Sequence, residues 1–297
     1  MTMATLEIDL VPAQPPRPNL LRRVAGAFSD PGIAIFAALL AGVLLLALLA
    51  PLIAGDPLAI DPARRLSYPS ADAIWGRDHL GRDVFARAVF GSRMSLGVGF
   101  SVAIIATVFG VTVGLYTGLG RLGSGLVMRL NDAMMAIPAI LLAIALAALM
   151  DAGLATIIVA IAVPEIPRMV RLVRSVVLGV REQPYVTAAI SIGTSGLPLV
   201  LRHILPNTLG PVLVQATYVC ASAIIASAVL SFLGVGLSPE TPSWGGMMAD
   251  ARSHFRDHPE LMAYPGVLLS LLVLTVNILG DRLSDALDPR KRRRGSL

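Results

Sequence analysis

The sequence predicts an all-α polytopic membrane protein with six transmembrane helices, and three observations carry that prediction. Hydrophobic residues make up 55% of the 297-residue chain, and the mean hydropathy is +0.75. Charged residues are only 14%, too few to cover the surface of a soluble protein of this length. Apolar runs long enough to cross a bilayer recur six times, with arginines gathered near their ends.

Residues 1–30 form an N-terminal tail with Pro12, Pro15, Pro16 and Pro18 and no apolar period, the pattern of a disordered segment. Arg17, Arg22 and Arg23 precede the first span, 31–54. Its apolar run, Ile33 to Ile53, is longer than the core of a cleaved signal, so an uncleaved helix is expected. Residues 55–94 follow as an external segment. In it Asp83, Arg87 and Gly91 stand four apart, as do Phe85 and Val89, which predicts a short amphipathic helix in the interface.

Residues 95–280 hold the other five spans, at about 95–119, 130–150, 154–177, 209–233 and 261–279. Gly110, Gly114 and Gly118 in the second favour a close helix–helix approach. The third contains Pro138. The fourth carries Glu165, followed by Arg168, Arg171 and Arg174 on one side. Glu165 reads two ways: as a partner of Arg168 near the interface, or as a group lining a solute path. Residues 238–259 form a second external segment suited to contact with an outside partner. Residues 281–297 are a basic tail.

One polar-containing insert does not read as a loose loop. In Arg181 to Asn207, Pro184 suits a first helical turn and Tyr185 to Ile192 continue it. Gly193 falls where a left-handed residue would end that helix. A second helix is expected from Leu197 to Leu205, stopped by Pro206. The spacing Ala188-Ala189, Gly193, His203, Leu205-Pro206 is similar to the EAA loop of ABC-importer permeases. That resemblance implies a cytoplasmic loop, 181–207, that docks into a groove on an ATPase subunit. It assigns ATPase coupling to Ala188, Ala189, Gly193, His203, Leu205 and Pro206. Thr187 stands where the family usually has a carboxylate, which removes one charged contact from the docking.

The stretch Trp75 to Gly99 carries a second resemblance, to the signature of permeases of the dipeptide, oligopeptide and nickel type. Its matching residues are Gly76, Asp78, Leu80, Gly81, Arg82, Asp83, Arg87, Gly91, Arg93, Ser95 and Leu96. Arg77, Ala86 and Phe90 depart from the pattern. By its physics alone the segment reads as a solvated face of paired Asp and Arg. The two resemblances imply a type I ABC-importer permease that forms a pore with a second permease subunit and is driven by two ATP-binding cassette ATPases. An external substrate-binding protein would deliver the solute: a dipeptide or oligopeptide, nickel, or a related small molecule. ATP and Mg would sit on the ATPases, with no cofactor on this chain.

Six spans place both termini on one side. Sixteen of the Arg and Lys residues fall on that side and eight on the other, so both termini, and the 181–207 loop, are expected in the cytoplasm of a bacterial inner membrane. The basic residues cluster beside apolar runs, which reads as topology and not nucleic-acid binding. No G-x-x-x-x-G-K-[ST], G-x-S-x-G or H-E-x-x-H occurs, so nucleotide hydrolysis and enzymatic catalysis are not expected of this chain. His254 and His258, four apart, are a weak metal pattern, and Cys220 in an apolar run reads as packing. The alternative is a secondary transporter driven by an ion gradient. It would need carboxylates at mid-membrane depth and an internal repeat, whereas Asp132, Glu165 and Asp281 read as lying near span ends.

Overall fold

The computed structural model describes residues 31–238 and 240–287, so the proline-rich tail and the terminal arginine run lie outside the described residues. The described residues form ten α-helices and no strand. In chain order they are α1 (Pro31–Ile53), α2 (Val84–Gly118), α3 (Ser124–Met135), α4 (Ala139–Ala148) and α5 (Leu154–Arg181). These are followed by α6 (Pro184–Ser191), α7 (Gly196–Leu199), α8 (Leu205–Phe232), α9 (Trp244–Ala251) and α10 (Glu260–Leu287).

Four helices are long and apolar enough to cross a membrane: α1, α2, the α7–α8 rod and α10. A fifth span appears if α3 and α4 are one crossing bent by 88°. The expected third span is therefore broken, and Pro138 is the reason. Proline lacks an N–H and disfavours the helical region for Ile137 before it, and Pro138 itself is extended at φ −55°, ψ 126°. The expected fourth span, α5, is 28 residues long but carries Glu165 near its middle and Arg168, Arg171, Arg174 and Arg181 in its second half. It is amphipathic, so among the described residues four spans, or five with the bent pair, are apolar enough to cross by composition alone.

The centre of the molecule is the pair α2–α5. Gly110, Gly114 and Gly118 on α2 face Met169, Val173 and Val177 on α5, two stripes each repeating every four residues. A Cβ added at Gly110 would stand 2.2 Å from Met169 Cγ, and one at Gly114 would stand 2.6 Å from Val173 Cβ. The four-residue glycine step thus buries the α5 stripe directly against the α2 backbone. The rod α8 packs on both helices, α10 packs on α8, α4 lies on α5, and α1 lies outermost on α2 and α10. Ile35, Leu39, Leu45, Leu48 and Leu52 of α1 are exposed, an apolar belt that a hydrocarbon solvent accommodates and water does not.

Two further expectations change. The short interfacial helix is not a separate element, because Val84 to Gly118 is one 35-residue helix. Asp83 caps it, accepting from the backbone N–H groups of Phe85 at 2.8 Å and Ala86 at 3.2 Å. Pro206 does not stop the second bracket helix. A wide π turn at Val200–Ile204, with Leu205 N–H reaching the Val200 carbonyl, carries α7 into α8 and leaves Pro206 in the first turn of α8.

Candidate coupling bracket and transmembrane polar site

The bracket is built where the two helices of the central pair end, at Gly118 of α2 and Arg181 of α5. Arg181, the last residue of α5, donates from Nη1 to the carbonyl of Gly118, the last residue of α2, at 2.9 Å. That bond satisfies an open helix-end carbonyl and fixes where the chain turns into α6. Helix α6 then closes with a double bond pattern. Gly193 N–H donates to Ile190 O at 2.9 Å and Thr194 N–H to Ala189 O at 2.9 Å, with Gly193 at φ +91°. This is the Schellman arrangement, and only glycine adopts that φ without strain.

The six residues assigned to coupling do not share one face. Ala189 and Val186 are buried toward the body, whereas Ala188 and Thr187 are exposed. His203 and Leu205 are half-buried, and Pro206 is exposed. The outer face belongs instead to apolar residues that sequence reasoning did not single out. Ile192 is 84% exposed and Leu197 65%, and Ile190 and Leu201 are exposed beside them. Their signal was present: Ile192 and Leu197 stand on either side of the polar glycine corner Gly193-Thr194-Ser195-Gly196.

The signature segment forms a second cluster at the other end of α2. Asp78 Oδ1 accepts from the backbone N–H groups of Leu80 and Arg82, both at 2.9 Å, and so shapes the turn through Gly81. Asp78 Oδ2 pairs with Arg82 Nε at 2.6 Å and Arg87 Nε at 3.7 Å. Asp250 of α9 pairs with the same two arginines, at 3.0 and 3.4 Å. Arg87 is 2% exposed and Arg82 5%, so the face read as solvated is buried. The reason is long-range: α9 covers it. Trp244 anchors α9, donating from Nε1 to the Ala88 carbonyl at 2.8 Å and lying on Gly91. Gly76 packs against the Ser67 carbonyl, and Arg93 reaches outward over the Phe90 ring. Asp250 and Trp244 were missed because nothing local in their sequence marks them.

Asp78, His79 and Asp250 offer ligand atoms within 4.8 Å of one another. Arg82 and Arg87 share both carboxylates, however, so the group is an ion-pair cluster with its charges already balanced. His254 and His258 do not converge. His254 stacks on His79, while His258 pairs with Glu260 at 3.0 Å. Outside the membrane, Arg64 donates to Asp61 at 2.7 Å, and that hydrogen bond holds the Asp61 carboxyl below the usual carboxylate range.

Between α4, α5 and α8 lies a cavity of 300 Å³ whose polar lining is Glu165, Arg168 and Ser222. Glu165 is 4% exposed. Its Oε1 accepts from Arg168 Nη1 at 3.0 Å and from Ser222 Oγ at 3.1 Å. Glu165 stands eleven residues into α5, about 16 Å from its start, so it is central in the helix and not near an end. Both sequence expectations for it hold in part: it pairs with Arg168, and it lines a cavity. Helix α3 is tied alongside by Asn131, which donates to the Pro167 carbonyl at 3.3 Å, and by Asp132, paired with Arg171 at 2.7 Å.

Residues 106–293 match the family described as binding-protein-dependent transport system inner membrane component. The chain is 51% identical over 251 residues to the probable peptide ABC transporter permease protein y4tQ of Sinorhizobium fredii, covering 84% of this chain and 86% of that one. It is 42% identical to the dipeptide transport system permease protein DppC of Alkalihalophilus pseudofirmus, covering 84% and 83%. Among solved structures, the inward-facing MetNI methionine ABC transporter superposes with a TM-score of 0.57 at 22% identity. That match covers 68% of this chain and 96% of the matched one, and is a likeness of fold.

Proposed function

The chain belongs to the family of inner membrane components of binding-protein-dependent transport systems, and from that premise we propose that it is one of two permease subunits of an ATP-driven peptide importer. Relatives named for peptides and dipeptides support peptides as the solute class, in preference to nickel. ATP and Mg are held by two separate ATPase subunits, and an external binding protein delivers the peptide to the face that carries the 55–83 and 238–259 segments. Both termini lie in the cytoplasm, as the arginine distribution favours.

The observation that carries the coupling role is the exposed apolar face of Ile190, Ile192, Leu197 and Leu201 on a bracket bolted to the α2–α5 pair. Such a patch on an aqueous surface marks a docking site. An ATPase gripping it would move α5 and α8 together, because α6 leaves one and the α7 rod enters the other. Ala189 supports the bracket from inside, and Ala188, with the apolar rim, meets the ATPase.

The test is uptake of a labelled dipeptide by vesicles holding the assembled complex. Ile192→Asp is expected to lower ATP-dependent uptake at least tenfold while the variant inserts normally. Gly193→Pro is expected to do the same, since proline cannot take φ +91°. Full uptake by a stably inserted Ile192→Asp variant would remove the coupling role.

A further inference from the structure

We infer that the Glu165–Arg168–Ser222 cavity is a station on the translocation path where Glu165 receives the ammonium group of a passing peptide. The inference rests on the permease reading and adds a site to it. Depth is the first argument. Gly153, just before α5, donates its N–H to the carbonyl of Gly236, just after α8, at 2.6 Å, so those two helix ends lie at one level. From that shared level Glu165 is about 16 Å along α5 and Ser222 about 15 Å along α8. With that level taken as the edge of the hydrocarbon core, half of which is about 15 Å, both residues fall at the middle of the membrane.

Chemistry is the second argument. A carboxylate at mid-membrane is costly and is kept where it serves a solute or ion path. A sealed structural pair would be enclosed on all sides, but this one borders 300 Å³ of space. Glu165 spends Oε1 on both Arg168 and Ser222, and among the described residues its second oxygen accepts no hydrogen bond. The Arg168 side chain is 47% exposed, so the outer side of the pair is open and not enclosed by other helices. A primary ammonium can therefore replace Arg168 at the carboxylate, with Ser222 holding Glu165 in place. The remaining walls, Ile140, Ile161, Ile225 and Val229, are apolar and suit varied side chains.

Cys220 is the sole cysteine, so a single-cysteine test is available. In the assembled complex, Ser222→Cys on a Cys220→Ala background is treated with a charged, membrane-impermeant methanethiosulfonate, in the presence of dialanine or N-acetyl-dialanine. Dialanine is expected to slow labelling at least fivefold, N-acetyl-dialanine is not, and Glu165→Gln is expected to abolish the protection. Absence of labelling, or protection that ignores N-acetylation or Glu165→Gln, overturns the station. ATP-driven peptide uptake by the Cys220→Ala parent is measured in the same vesicles and reports on the permease reading separately. Intact uptake without protection removes the station alone, and protection without uptake removes the importer reading alone.

Discussion

Asp78 illustrates how much a single residue does here, since one of its oxygens shapes a turn and the other holds two buried guanidiniums. Asp78→Asn keeps the size but leaves Arg82 and Arg87 to share Asp250 alone. Removing one partner of a buried ion cluster costs about 3 kcal/mol. Thermal unfolding of the purified chain in detergent should show a clear drop in midpoint, and an unchanged midpoint would mean the cluster is not buried in solution. The identity of these residues was legible in the G-x-D-x-L-G-R-D spacing, but their environment was not. A carboxylate 168 positions from Arg82 completes the cluster, and no local period encodes that partner. Ser222 was hidden for a related reason: a small polar residue in an apolar run gives no sign of which carboxylate it will meet.

At the scale of elements, the glycine stripe was readable because its period equals the spacing of one helix face. Gly110→Val would drive a side chain into Met169, where the first added carbon already stands at 2.2 Å. Overpacking of this kind costs about 1–3 kcal/mol. Gly125→Val, where a Cβ meets nothing within 4 Å, is the control. A fall in thermal midpoint for the first and not the second is expected, and equal behaviour would contradict the α2–α5 packing. The prolines were less readable. Pro138 breaks its span by 88°, whereas Pro206 is absorbed by the π turn before it and Pro164 sits inside α5. Each lacks an N–H, and what differs is whether neighbouring helices hold the chain straight around the gap. Asp83 shows the same limit, since the signature marked the residue but neither its capping role nor the 35-residue helix behind it.

For the whole molecule, the arrangement connects three levels along one axis. The bracket hangs from the ends of α2 and α5, the Glu165 cavity lies between α5 and α8, and α9 covers the buried arginines at the far end. The same helices that leave and receive the bracket line the cavity. In the proposed importer, a push on Ile192 and Leu197 would reach the walls around Glu165 through these two helices. The apolar content made the class of the protein readable from sequence, because lipid constrains composition along the whole chain. The fourth span was readable by its place and length, but not the partners of its charged face: Ser222 for Glu165 and Asp132 for Arg171 come from other helices. The most direct measurement attaches a benzophenone through Ile192→Cys, on a Cys220→Ala background, and irradiates native membranes containing the full complex. The account predicts a covalent product with the ATP-binding subunit, formed from the cytoplasmic side. A product with the external binding protein, or labelling of residue 192 only from outside, would contradict it.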